Sequence, residues 1–112
     1  MRAQAAAATT VGTTPVLHIG VLQFTMEIPY AESLKDKRGV LNSLKDRLRR
    51  AYNLSISEIE DQDDCTLATM GAIIAGSDIP SLNSTMDHLL NTLHDWKDGT
   101  LTDHQMEIFT PR

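Results

Sequence analysis

At 112 residues with a single cysteine, the chain is long enough for one domain with a modest core and has no internal disulfide framework. Ten Lys and Arg against fifteen Asp and Glu give a net charge of −5, and no apolar run approaches the roughly 20 residues of a membrane helix. These values fit a cytoplasmic protein and exclude a disulfide scaffold or a helical membrane span. The charge is unevenly spread. Seven of the ten basic residues fall between Ser33 and Arg50 with only Asp36 and Asp46 among them, so that segment carries +5. The remainder, three basic against thirteen acidic residues, carries −10.

The opening tract to Pro15 is rich in alanine and threonine and lacks the apolar run of a signal peptide. Residues 1–15 read as a disordered tail, ahead of one domain over residues 16–110. Val16 to Ile28 reads as a strand, because Leu22, Phe24, Met26 and Ile28 alternate with Gln23, Thr25 and Glu27 until Pro29 removes a ladder donor. Ser33, with Asp36 three residues on, predicts a capping box at a helix start. Leu34, Leu41, Leu44, Leu48 and Tyr52 form that helix's apolar stripe, with Val40 and Ala51 at its margin and Asn53 as terminator.

A short strand, Leu54 to Ile59, leads into an acidic turn over Glu60 to Asp64, and Thr66 to Gly76 is a third strand, apolar or small on both faces. Ser77 or Asp78 caps a second helix, along one face of which Ile79, Leu82, Met86, Leu89, Leu93 and Trp96 step by three and four, with Gly99 as a left-handed terminator. Thr100 to Thr110 is the last strand. The order β-α-β-β-α-β points to an α+β, ferredoxin-like fold, a four-stranded antiparallel sheet with both helices on one face. Its central strands should be the first and third, which are the apolar ones. The polar second and fourth belong at the edges.

Catalytic signatures are missing from this pattern. The sequence holds no Gly-x-Ser-x-Gly elbow, no phosphate-binding glycine loop and no Cys/His pair, and Cys65 follows an acidic run that disfavours a thiolate. The four histidines have no ligand spacing, and the acidic turn lacks the glycine of a calcium loop. His94 and Asp98, four apart, read as a helical surface pair. We therefore assign no enzyme activity, no metal and no cofactor. The first strand's lone aromatic, Phe24, shares a face with Leu22 and Met26, so an RNA-binding sheet of the RRM type is rejected as well.

What remains is the basic helix. At about 100° per residue, Lys35, Arg38, Asn42, Lys45 and Arg49 fall on one stripe beside the buried face, a spacing able to follow a phosphate backbone. The alternative is a solvated surface that answers the chain's own acids. Lys37 falls inside the leucine stripe, where a lysine must snorkel out or find a carboxylate. A structural role suits it best, and it joins the anion-contact set only if it lines a pocket with Lys35 and Arg38 at the helix N-terminus.

The run Ser33-Leu34-Lys35-Asp36-Lys37-Arg38, continued by Val40-Leu41 and by Leu44 to Leu48, resembles the helix of the bacterial YlxP-like proteins, domain of unknown function 503. Tyr52 to Ile59, and Gln62-Asp63 followed by Ala68 and Gly71, resemble later parts of that family, so the likeness spans about residues 18 to 110. The resemblance implies a ferredoxin-like, cytoplasmic, non-enzymatic protein in a genomic setting of translation and ribosome maturation, hence contact with RNA or the ribosome. In two places the chain departs from the family's pattern. Gly39 stands where members commonly have arginine, and Cys65 and Leu67 stand where they commonly have tryptophan and arginine. The expected phosphate contacts are Lys35, Lys37, Arg38, Lys45 and Arg49. A second reading is a self-associating domain that binds a protein or small molecule, with the open sheet face as interface, because Ile19, Val21 and Ile73 should lie there.

Overall fold

The computed structural model describes residues 16–111, and the tail expected over residues 1–15 lies outside them. Six elements follow one another: β1 (His18–Glu27), α1 (Leu34–Ala51), β2 (Leu54–Glu60), β3 (Leu67–Gly76), α2 (Ile79–His94) and β4 (Thr100–Phe109). The strands form one antiparallel sheet in the order β2-β3-β1-β4, the ferredoxin-like arrangement, with polar β2 and β4 at its edges. No helix among the described residues is long and apolar enough to cross a membrane.

Alternation decides which residues meet the helices. Leu22, Phe24 and Met26 of β1 pair across with Ala72, Met70 and Ala68 of β3, and all six are buried. Leu41, Leu44 and Leu48 of α1 and Leu82, Met86, Leu89 and Leu93 of α2 close over them. Buried Gly20 lies under α2, and a Cβ built there would stand 2.7 Å from Met86 Sδ. Tyr52, the C-cap of α1, is tied to α2 by a 3.0 Å bond to Thr92 Oγ1. Because the Thr92 hydroxyl gives its one proton to the His88 carbonyl, Tyr52 is the donor.

Four local expectations need correction. Ser33 does cap α1, accepting from Asp36 N at 3.0 Å, but the Asp36 carboxylate returns to the Glu32 N–H, one residue before the cap. The second helix ends at His94 with Asp95 as C-cap, so Trp96 packs on the core from the connection to β4 rather than from the helix. Asp98 is then off the helix, and His94 meets the ring of His104 edge-on at 6.4 Å. Gly99 is not left-handed. Its requirement is space, since a Cβ would lie 3.1 Å from the Glu27 carbonyl oxygen.

Leu44 is fully buried between α1 and the sheet. Leu44→Ala should cost about 2–5 kcal/mol in denaturant unfolding, the transfer loss plus a cavity. A near-neutral result would contradict this orientation of α1.

Candidate nucleic-acid interface

The most constrained residue of α1 is Lys37, only 1 % exposed, within the core-facing stripe. Its ammonium donates to the carbonyls of Asp61 (2.7 Å), Asp64 (2.5 Å) and Leu67 (2.8 Å). Three N–H groups meet three carbonyls, so its donor capacity is exhausted. Glu58 Oε2 lies 2.7 Å from the same nitrogen as an ion pair, yet no hydrogen bond of acceptable angle reaches that oxygen. The carboxylate therefore acts by charge, and the carbonyls take the protons. Together they meet the two conditions for a buried cation, a counter-charge and full hydrogen bonding.

The chain is shaped to supply those carbonyls. Asp61 takes a left-handed backbone (φ 65°), which Asp tolerates better than most residues. Its carboxylate accepts from the buried Thr69 hydroxyl at 2.6 Å. Asp64 accepts from the Thr66 N–H (2.9 Å) and hydroxyl (3.0 Å), which together hold its carboxyl below the usual carboxylate range, with the Lys37 charge adding to the effect. A bulge between Glu58 and Glu60 shifts the β2–β3 register just before this turn. The acidic turn thus has a cation of its own, the Lys37 ammonium, held by backbone oxygens.

Lys37 must accordingly be removed from the expected phosphate contacts. It is enclosed, its protons are committed, and it does not line a surface with Lys35 and Arg38. The other four lie where the helical spacing puts them. Lys35, Arg38 and Arg49 are exposed, as is Asn42 between them, and Lys45 is half-buried at the margin of the core stripe. From Lys35 to Arg49 this flank runs about 21 Å along the axis. Among the described residues the one ion pair is that of Lys37 with Glu58, so none of these four cations is paired with a carboxylate.

Two parts of this arrangement escaped the sequence reading. The first is Glu58 as the partner of Lys37, for which a signal existed, because Leu54, Ile56 and Glu58 alternate onto one face of β2 and the third of them is charged. The second is a groove beside the opposite flank of α1, where Arg47 lies over Trp96 with its guanidinium carbon 5.6 Å from the ring centroid. Periodicity along one helix carries no signal for that contact, which depends on how the connection after α2 returns.

The sequence model of a family described as "Protein of unknown function (DUF503)" matches residues 19–106. None of the curated proteins matches the chain.

Removing the ammonium should leave Glu58 and three carbonyls without their partner. Lys37→Met should therefore cost about 3–5 kcal/mol, as for one half of a buried pair. Glu58→Gln, which keeps the carbonyl trio occupied, should cost clearly less in the same denaturant titration. Equal losses would mean that charge, not the carbonyls, governs the site.

Acid should loosen the same turn. Asp64, and Asp78 where it caps α2 by accepting from Ser81, both have lowered pKa values. A depressed carboxyl stabilises the fold fully above its unfolded pKa, ordinarily about 3.8–3.9, and loses that contribution as pH falls through the lower folded value. Thermal midpoints should hold from neutrality to about pH 5 and drop below pH 4. Thr66→Val should make the acid drop shallower, because Asp64 then loses a donor that depresses it.

Proposed function

The chain belongs to the DUF503 family of proteins of unknown function, and from that premise we propose that it is a non-enzymatic accessory protein that associates with RNA, free or within the ribosome, through the basic flank of α1. The observation that carries this reading is the unpaired state of that flank. A merely solvated surface in an acidic protein would be expected to draw on neighbouring carboxylates. Instead Lys35, Arg38, Lys45 and Arg49 stand along one side of a rigid helix with no ion pair among the described residues. Cations in that state can exchange a counterion atmosphere for phosphates, and rigid spacing limits the entropy lost on binding.

The test is a salt titration of RNA binding. Replacing Arg38, Lys45 and Arg49 with glutamine should weaken binding whatever the sequence, and flatten the salt dependence by about 0.7 log units per lost contact on a single strand. Folding should change little, since none of the three is buried or ion-paired among the described residues, and such surface charges contribute at most about 1 kcal/mol. The converse variant is Gly39→Arg. A Cβ at Gly39 meets nothing within 4 Å, so this change should stabilise the helix by about 0.5–1 kcal/mol and steepen the salt dependence. Wild-type protein that binds no RNA at low salt would sink the proposal.

A second reading, self-association through the open sheet face, has its own supporting observation. Across the uncovered side Phe109, Ile19 and Ala75 form one row and Val21 and Ile73 meet in the next, with Ile73 50 % and Phe109 42 % exposed. Ile59, 46 % exposed, lies over Gly71 on the same side. A second copy would remove this apolar surface from water. Sedimentation should then show a concentration-dependent dimer that Ile73→Glu abolishes. A strict monomer at high concentration would rule this reading out.

A further inference from the structure

The opposite flank of α1 carries a second group of cations that the RNA reading does not use. Arg47 and Arg50 project roughly 110–170° round the axis from the Lys35–Arg49 stripe. They border a groove of about 590 Å³ whose far wall is the connection from α2 to β4, with Asp95, Trp96, Lys97 and Asp98. That volume lies within the range of small-ligand sites.

Its chemistry is specific. Arg47 lies over the indole, and a guanidinium so placed offers its outer side to a flat π-system. Trp96 Nε1 is a buried donor without a hydrogen-bond partner among the described residues. Arg50 gives only its Nε–H, to the Asp46 carbonyl at 3.3 Å, which leaves the terminal nitrogens for an anion. Arg47, Arg50 and Lys97 make no ion pair among the described residues, although Asp95 and Asp98 line the same groove. An aromatic platform, cations and carboxylates within one groove match the three parts of a ribonucleotide.

Resting on the RNA reading above, we propose that this groove is a nucleotide subsite for one residue of a single-stranded RNA. The base lies against the Arg47–Trp96 pair, the phosphate meets Arg50 and Lys97, and the ribose 2′-hydroxyl donates to Asp95 or Asp98. The strand then crosses α1, held on one side by the groove and on the other by the Lys35–Arg49 flank. Gly39 lies on the exposed crest between them.

Trp96 is the only tryptophan of the chain, so its emission reports on the groove without a label. Full-length protein is titrated with a single-stranded oligouridylate, and the anisotropy of end-labelled RNA is followed in parallel. The emission should be quenched with the same midpoint as the anisotropy rise. Arg47→Gln combined with Arg50→Gln should weaken binding by about tenfold and remove the quench, as expected for a lost stacking contact. Arg38→Gln should weaken binding yet keep the quench at saturation. The oligodeoxyuridylate of equal length should bind more weakly, and equal binding would overturn the ribose assignment. RNA that raises the anisotropy while Trp96 emission stays constant would overturn the groove and leave the helix-flank reading intact. No anisotropy change in the wild type would overturn both.

Discussion

A single ammonium group organises one end of this molecule. Lys37 Nζ gathers oxygens from the end of β2, from the turn and from the start of β3, and α1 is thereby seated on the sheet at a defined depth. The turn has few apolar groups, and several carboxylates crowd it. Hydrophobic burial alone would hold such a segment poorly. A buried cation reverses the balance, because the carbonyl dipoles and Glu58 that would otherwise be costly to enclose become its ligands. The acidic character of the turn is therefore compatible with a tightly held hairpin.

That arrangement also bears on what the helix can offer outward. With Lys37 drawn in, the first turn of α1 is fixed by its side-chain cap and by the cage together. The exposed cations thus project from an element that does not need a partner to order it. Pre-organisation of this kind lowers the entropic cost of association, so a few contacts of modest strength can suffice. The sheet's uncovered side lies in the other layer, away from these cations. Contacts on the two sides would not compete for surface.

Much of the fold was legible because period-2 and period-3.6 patterns report directly on burial. The alternation in β1, the leucines of α1 and the polar load of β2 and β4 each pointed to the place that residue occupies. Lys37 was legible as an anomaly, since a charge inside a leucine stripe demands a partner. The identity of its main partners was not, because backbone carbonyls leave no mark in a sequence, and their direction here depends on left-handed Asp61. The end of α2 was misread for a related reason. Trp96 continues the spacing of the helix, but it reaches the core from the connecting segment after the helix has stopped. Spacing shows which residues are buried, not the backbone path that brings them there. The Arg47–Trp96 contact belongs to the same class of facts, since it joins elements far apart along the chain.

The sheet order carries one more consequence. The chain reads as two β-α-β halves, yet β3 of the second half lies between β2 and β1 of the first. Lys37, in the first half, is bonded to Leu67 at the opening of the second. Neither half can complete the sheet alone, and the first half without the second leaves the buried Lys37 ammonium short of a carbonyl ligand. Separately produced fragments divided at the acidic turn would each expose an unpaired strand edge, and should gain order only on reassociation. The halves resemble each other in outline, but they are interlocked and do not form two independent folding units.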